Sequence, residues 1–236
     1  MKISSKLLRV QELEVSINKR RILDIRNLEI ENNQIVLLTG ANGSGKTTVL
    51  KYLSGLIKAK RGHVEYLGRP MSLKSATRFF RGRHIYLHQT PLMFDGSVSH
   101  NVAFGLRCRS TDSSHVTIDV RNALEWAHLD HLASRNASEL STGEKQRVAL
   151  IRACILNPKV LLLDEITSNM DIESRRRTLD MLEDMRKNDS TVIFATHDVD
   201  IIDRFGNHNL VLIRGDIKEK KERQDSVISL HSEKIE

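Results

Sequence analysis

A glycine-rich loop between an apolar strand and an amphipathic helix limits the possible folds of this chain more than any other feature. Residues 40–47, which read Gly-Ala-Asn-Gly-Ser-Gly-Lys-Thr, match the pattern G-x-x-x-x-G-K-[ST]. The apolar residues 35–38 before the loop predict a buried strand, and apolar residues within 49–57 recur at helical spacing. In such a loop the backbone N–H groups point inward, and the helix N-terminus adds partial positive charge. The context predicts a site for the phosphates of a nucleotide.

The side chains at the end of the loop suit the same ligand. The Lys46 ammonium supplies a point charge to the β- and γ-phosphates, and the Thr47 hydroxyl suits Mg²⁺. We expect the nucleotide to be held by nine consecutive residues: Gly40, Ala41, Asn42, Gly43, Ser44, Gly45, Lys46, Thr47 and Thr48.

Two carboxylates follow a second apolar strand. The run 160–163 is wholly apolar and is followed by Asp164 and Glu165. In an open parallel sheet, ligands bind at the carboxyl ends of the strands. We expect Asp164 to hold Mg²⁺, and Glu165 to polarise the water that attacks the γ-phosphate. One oriented carboxylate beside the metal meets the needs of phosphoryl transfer.

Strand and helix patterns alternate along the rest of the chain. Residues 7–38 and 62–88 read as strands, 144–156 and 173–187 as helices, and 160–163, 191–195 and 210–213 as strands. This alternation predicts an α/β fold with a largely parallel core sheet. No apolar run approaches the roughly 20 residues of a bilayer span, so we expect a cytoplasmic protein. Residues 219–236 are mostly polar and read as a flexible tail.

The net charge of +7 permits an anionic ligand, an anionic membrane surface or nucleic acid as a partner. Basic residues cluster at Arg78, Arg81 and Arg83 and again at 175–177. Aromatic residues make up only 4% of the chain, and no groove-reading motif accompanies the charge. We therefore interpret these clusters as solvated helix faces and expect no nucleic-acid partner.

The order of several further motifs points to one family. The segment Ser141, Thr142, Gly143 and Glu144 follows Leu140 and reads as a capping box before a helix. The order is the phosphate loop, Gln89, this segment, the acidic pair, Ser-Asn-Met-Asp at 168–171 and His197. Over residues 8–218 this series resembles the nucleotide-binding subunit of ATP-binding cassette (ABC) transporters.

The resemblance implies roles for these residues, with ATP and Mg²⁺ as ligands. Gln89 would contact Mg²⁺ and sense a membrane partner, and His197 would contact the γ-phosphate. Ser141–Glu144, the signature segment, would face the γ-phosphate held by a second subunit, and Asp171 would end a loop at the dimer interface. Ile17 would replace the aromatic residue that usually stacks on adenine. Gln89, Glu165 and His197 are thus the expected catalytic residues, and Thr47, Gln89 and Asp164 the expected metal contacts.

The resemblance also implies an architecture. We expect a single domain over residues 1–236, with a P-loop NTPase core at about 1–89 and 155–218. An antiparallel β subdomain and an inserted helical subdomain at about 90–154 would complete it. The signature reads LSTGE where the family usually has LSGGQ. Thr142 would be strained if that position required a left-handed backbone.

The partners follow from the same resemblance. We expect a homodimer, peripheral on the inner face of the membrane, that works with separate integral membrane permease subunits and a substrate-binding protein. Residues 93–107 resemble importer subunits of the tungstate, molybdate and phosphate type, so the expected cargo is an oxyanion such as tungstate. The altered signature leaves an alternative, an ATP-dependent switch that regulates a cell-envelope or other membrane complex without transport.

Overall fold

The computed structural model describes residues 6–108 and 113–220. The strands of this part are β1 (Lys6–Ile17), β2 (Arg20–Glu31), β3 (Ile35–Thr39), β4 (Arg61–Tyr66), β5 (Arg69–Met71), β6 (His84–Leu87), β7 (Val160–Asp164), β8 (Thr191–Ala195), β9 (Asn209–Ile213) and β10 (Asp216–Lys220). Its helices are α1 (Lys46–Leu53), α2 (Leu73–Arg83), α3 (Val98–Arg107), α4 (Ser113–Trp126), α5 (Thr142–Cys154), α6 (Ile172–Lys187) and α7 (Val199–Phe205).

A six-stranded sheet with the order β10-β9-β3-β8-β7-β6 forms the centre of the fold. All its neighbouring pairs are parallel except β9 with β10. A second, four-stranded sheet has the order β2-β1-β4-β5 and is antiparallel. The α/β class and the largely parallel core sheet are confirmed.

The two faces of the central sheet carry separate hydrophobic cores. Ile35 and Leu37 of β3 belong to the core shared with α3, α5, α6 and α7. Val36 and Leu38 belong to the core shared with α1, α2 and the antiparallel sheet. Because side chains alternate along a strand and both faces are covered, β3, β7 and β8 are buried at every position. This double burial explains why these strands read as continuous apolar runs.

Helices and single-turn 3₁₀ helices at Asp130–Leu132 and Ala137–Glu139 occupy most of residues 98–154. This helical content agrees with the segment expected at 90–154, and its status as a separate subdomain stays a prediction. No helix in residues 6–108 and 113–220 is long and apolar enough to cross a membrane.

The structure corrects two sequence-based expectations. Residues 62–88 were expected to be short strands, but 73–83 form α2, capped by the Ser72 side chain, which accepts from the Ser75 N–H at 3.2 Å. Only Ala76, Thr77 and Phe80 are buried there, too few to show a clear helical period of apolar residues. The expected tail from 219 is wrong at its start, because β10 pairs with β9 through Lys220. Residues 221–236 lie outside the described part.

His84 is a buried histidine at the start of β6. It is 6% exposed, and its ring stacks on Phe80 with the centroids 4.7 Å apart. Its Nδ1 lies 2.6 Å from the Leu53 carbonyl oxygen, which can only accept, so Nδ1 carries the proton. Burial, assisted by the charge of Arg83, lowers the pKa of His84 from 6.5 to about 4.

The depressed pKa of His84 predicts a loss of stability in mild acid. Between pH 6.5 and pH 4 the unfolded chain binds a proton at this ring that the folded chain does not. The free energy of unfolding should therefore fall by about 2 kcal/mol from pH 7.5 to pH 5 through this group alone. Chemical denaturation at both pH values measures it, with His84→Phe as the comparison. Equal pH dependence in the two proteins would contradict the assignment.

Candidate active site

The loop after β3 is shaped to bring backbone N–H groups to a ligand. Gly40 has φ +144°, and a Cβ there would lie 2.4 Å from the Leu212 carbonyl oxygen. Gly45 has φ +110° and forms the N-cap of α1 without a side-chain hydrogen bond. Since no side chain caps them, the first N–H groups of α1 remain available to an anion.

Lys46 and Ser44 place polar groups inside this loop. The Lys46 side chain is 7% exposed, and its Nζ donates to the carbonyl oxygens of Gly40 at 3.0 Å and Ala41 at 3.4 Å. The Ser44 hydroxyl is buried and has no hydrogen-bond partner among the described residues. A buried hydroxyl without a partner, beside a buried ammonium, fits a ligand rich in acceptor oxygens.

Asp164 is held on both carboxylate oxygens. The Thr47 hydroxyl donates to Oδ1 at 3.2 Å, and the Tyr86 hydroxyl donates to Oδ2 at 2.8 Å. A hydroxyl and a carboxylate side by side match the oxygen ligands of Mg²⁺, which is usually bound through one or two protein groups plus phosphates and water. Among the described residues no three His, Cys, Asp or Glu side chains gather to hold a metal.

Sequence reasoning missed Tyr86. It lies on β6, where it is paired with Leu162 of β7, and its hydroxyl reaches along that strand to its last residue, Asp164. Burial, with the hydrogen bond to Asp164, raises the pKa of Tyr86 well above 10, so the hydroxyl stays a donor. The available signal was a tyrosine in the strand that precedes Gln89, but only the strand order shows that β6 neighbours β7.

Glu165 lies close to two other predicted site residues, Lys46 and His197. Its Oε1 lies 3.7 Å from Lys46 Nζ and 3.5 Å from His197 Nδ1. Its φ of +50° is left-handed, and its N–H donates to the Ala195 carbonyl oxygen at 3.0 Å. This bond to β8 holds a backbone conformation that is uncommon outside glycine. His197 is 64% exposed and follows β8, so strand ends and not helices position both residues.

Gln89 lies near the acidic pair but bonds elsewhere. Within the described residues its Nε2 donates to Ser168 Oγ at 3.4 Å, and neither Thr47 nor Asp164 is its partner. Ser168 Oγ in turn donates to the Glu165 carbonyl oxygen at 3.0 Å. The backbone oxygen of Gln89 accepts from the Gln146 side chain of α5. Gln89 thus connects α5 to the loop after β7, and its contact with a metal stays a prediction.

The signature segment forms the predicted capping box. Ser141 Oγ accepts from the Glu144 N–H at 3.3 Å, and the Glu144 carboxylate accepts from the Ser141 N–H at 2.8 Å. Burial alone would raise the pKa of Glu144, but these bonds hold it below 4.5. Thr142 starts α5 with a negative φ, so the strain considered for it is not present.

The signature segment lies beside Asp171. A Cβ on Gly143 would lie 3.6 Å from Asp171 Oδ2, and Asp171 caps α6 by accepting from the N–H and hydroxyl of Ser174, both at 2.8 Å. Ser141, Thr142 and Asp171 are exposed. Ser141 bonds to Glu144 and Asp171 bonds to Ser174, and within the described part of the chain neither side chain bonds to residues 40–47.

The expected adenine contact is only loosely placed. Ile17 ends β1, pairs with Arg20 across the hairpin and is 43% exposed. Ile22 and Leu23 lie nearer the loop, since a Cβ on Gly45 would be 3.7 Å from Ile22 Cγ2 and 2.8 Å from Leu23 Cδ2. The role of Ile17 stays a prediction.

Comparisons with known proteins agree with this geometry. The sequence pattern of the family described as "ABC transporter" matches residues 23–168. The chain is 35% identical over 192 residues to the sulfate/thiosulfate import ATP-binding protein CysA of Nephroselmis olivacea, covering 80% of this chain and 55% of that protein. It is 32% identical over 222 residues to the spermidine/putrescine import ATP-binding protein PotA of Mannheimia succiniciproducens, covering 92% of this chain and 58% of that protein.

A solved structure gives the same picture. The cbiO1 structure from Clostridium perfringens, described as part of the ABC transporter complex cbiONQ, superimposes with a TM-score of 0.81 at 28% identity. The alignment covers 91% of this chain and 88% of that one. Against the two curated relatives, by contrast, the chain spans only 55% and 58% of their length.

The bond from Tyr86 to Asp164 predicts a change in metal dependence. Tyr86→Phe removes the donor to Oδ2 and leaves Asp164 held only by Thr47, so the Mg²⁺ concentration needed for half-maximal nucleotide hydrolysis should rise about tenfold. Nucleotide affinity measured without divalent metal should stay unchanged. Tyr52→Phe is the matched control, because the Tyr52 hydroxyl is buried without a partner in the described residues. An unaltered Mg²⁺ requirement in Tyr86→Phe would refute the positioning role.

Proposed function

This chain belongs to the ABC transporter family, and on that premise we propose that it is the ATP-binding and ATP-hydrolysing subunit of a membrane importer. The observation that carries the proposal is the meeting of Lys46 and His197 at the Glu165 carboxylate, at 3.7 and 3.5 Å. The backbone N–H groups of the loop would donate hydrogen bonds to the phosphates. The Glu165 carboxylate would face the water that attacks the terminal phosphate.

The residues divide the work of hydrolysis. The N–H groups of the loop and the Lys46 ammonium bind the β- and γ-phosphates, with Lys46 exchanging its bonds to Gly40 and Ala41 for phosphate oxygens. Thr47 and Asp164 would hold Mg²⁺, which offsets the phosphate charge. Glu165 orients a water toward the γ-phosphorus and accepts its hydrogen bond, while His197 donates to a γ-phosphate oxygen. Positioning and charge neutralisation are the main requirements of phosphoryl transfer.

A second copy would complete each site. The N-terminus of α5 is exposed at Ser141 and Thr142, which suits an anion presented from outside the chain. Next to it are Asp171 and Ile172, and the latter is 87% exposed although apolar. Each copy offers one phosphate loop and one signature segment, so two copies related by a two-fold axis would form two equivalent sites. ATP would favour the closed dimer, and hydrolysis would release it.

Glu165→Gln should trap that dimer. The amide keeps the size of the side chain but cannot accept a proton from water, so ATP stays bound and intact. Size-exclusion chromatography with ATP and Mg²⁺ should then show a dimer, and a monomer without nucleotide. Glu65→Gln, a change on β4 in the other sheet, should elute like wild type. A Glu165→Gln protein that stays monomeric with ATP would contradict the two-site arrangement.

A rigid apolar surface follows Gln89 and suits a membrane subunit. Leu92 is 78% exposed, Phe94 is 39% exposed, and the Phe94 ring packs on Phe104 with centroids 4.1 Å apart. Asn101 bonds both the N–H and the carbonyl of Phe94, at 2.8 and 2.9 Å. Arg152 donates to the Leu92 carbonyl at 2.7 Å and lies over the Phe94 ring. We infer that separate integral permease subunits dock here, with this subunit peripheral on the cytoplasmic face of the membrane.

The identity of the transported cargo is the most specific part of the proposal. Residues 93–107 resemble importer subunits for tungstate, molybdate and phosphate, and one similar relative is named for sulfate/thiosulfate import, also an oxyanion. Another relative is named for spermidine/putrescine import, so the similar relatives include importers of cations as well as importers of anions. We propose an oxyanion such as tungstate, delivered by a substrate-binding protein. The import names of the relatives favour transport over a switch without transport.

Uptake measurements test the cargo. Cells lacking this protein should lose tungstate uptake, and the wild-type gene should restore it whereas Glu165→Gln should not. Molybdate, sulfate and spermidine uptake in the same cells provide the comparison. Loss of spermidine uptake alone would refute an oxyanion as the cargo but would still support a role in transport. Unchanged uptake of all four would contradict transport of these cargoes.

A further inference from the structure

One exposed face of α2 carries a stripe of positive charge. Lys74, Arg78 and Arg81 are spaced at i, i+4 and i+7, which places them on one side of the helix, and all three are exposed. Ala76, Thr77 and Phe80 are buried against the core. The sequence of α2, LKSATRFFRGR, contains no acidic residue. We name Lys74, Arg78 and Arg81 the α2 stripe.

The α2 stripe differs from the cationic surface formed by α6 and α7. On α6, Arg176 and Arg177 both pair with Glu173, and Arg204 of α7 pairs with Asp180. Among the residues that the structure describes, Lys74 and Arg78 have neither an ion pair nor a hydrogen bond to their side chains. Arg81 donates only to a backbone oxygen, that of Gly55, at 2.9 Å. Like charges at i and i+4 repel, so this helix face is left in an unfavourable state that an anionic partner would relieve.

An exposed apolar side chain lies next to the stripe. The turn after α1 packs tightly on α2, because a Cβ on Gly55 would lie 2.3 Å from the Thr77 carbonyl oxygen and 2.8 Å from Arg81 N. Leu56 follows directly and is 54% exposed, and the exposed Lys58 comes two residues later. Cations beside an exposed leucine suit a lipid headgroup layer, where charge meets phosphates and an apolar side chain meets the acyl boundary.

The position of α2 in the fold also favours a membrane surface as its partner. α2 leads into β6, which is an edge strand of the central sheet. The other end of β6 leads to Gln89 and the apolar surface around Leu92 and Phe94. That surface is our proposed contact with a membrane subunit, so this inference rests in part on the proposed function. Both features border the same edge strand.

We propose that the α2 stripe, with Leu56, contacts the phosphate headgroups of an anionic bilayer. The three cations span about 10 Å along the exposed side of one helix, which suits a planar array of phosphates more than a nucleic-acid duplex or a single peptide. Attraction of this kind is screened by salt and falls off within a Debye length.

Vesicle flotation of the purified full chain, with no permease present, tests the proposal. Wild type should float with vesicles of phosphatidylcholine and phosphatidylglycerol but not with phosphatidylcholine alone, and less so as salt is raised. The double variant Lys74→Gln/Arg78→Gln should bind about 30-fold more weakly, from about fivefold per cation. Arg81 is left in place because it bonds the Gly55 turn.

The control removes the same charge elsewhere. Lys159→Gln/Arg186→Gln takes away two exposed cations before β7 and at the end of α6, and should bind vesicles like wild type. Equal weakening in both double variants would reduce the effect to net charge and overturn the proposal, as would a wild type that ignores anionic vesicles. ATP affinity measured in the same samples separates the membrane contact from the proposed ATP-binding function. If wild type binds ATP but does not bind anionic vesicles, only the membrane contact is overturned.

Discussion

Parallel pairing of β3, β8, β7 and β6 is the constraint from which the candidate site follows. In this register the phosphate loop, the Thr196–His197 segment, the acidic pair and Gln89 all emerge at one edge of the sheet. Parallel strands need crossover connections, and those helices cover both faces. The apolar cores thus position polar groups that come from distant parts of the chain, and the Tyr86–Asp164 bond joins two such strand ends directly.

The charges at this edge are arranged around one buried ammonium. The Lys46 ammonium is held by two carbonyl oxygens and lies near the Glu165 carboxylate. A hydrogen bond between two charged groups is stronger than one to a neutral carbonyl, so phosphate oxygens would replace the two carbonyl oxygens. The adjoining carboxylates, Asp164 and Glu165, have distinct environments: two hydroxyl donors hold the first, whereas the Lys46 ammonium and the His197 ring lie beside the second.

Local patterns predicted the parts of the molecule that local physics determines. Three predicted features each depend on residues that are close together in the sequence. They are the strand–loop–helix around residues 35–57, the buried run before Asp164, and the capping box at Ser141 and Glu144. α2 was missed because its buried face is only three residues wide. β10 was missed because a strand at the sheet edge derives its order from pairing with β9, which no period along 216–220 reveals.

The contacts made by side chains across strands could not be predicted in the same way. Tyr86 reaches Asp164 because β6 and β7 are neighbours, and Gln89 bonds Ser168 because the loop after β7 lies beside the end of β6. Strand order and rotamer choice decide both, and neither is encoded in spacing along the chain. The division between what was and was not predicted thus follows the division between sequence-local and sheet-level interactions.

Equilibrium ATP binding to wild type, Lys46→Ala and Lys51→Ala tests the central claim most directly. Lys51 lies on the same helix but outside the loop, so it controls for lost charge. A charged hydrogen bond to phosphate predicts ATP affinity at least about tenfold weaker in Lys46→Ala and unchanged in Lys51→Ala. ATP bound as tightly by Lys46→Ala as by wild type would contradict the assignment of the loop as the phosphate site.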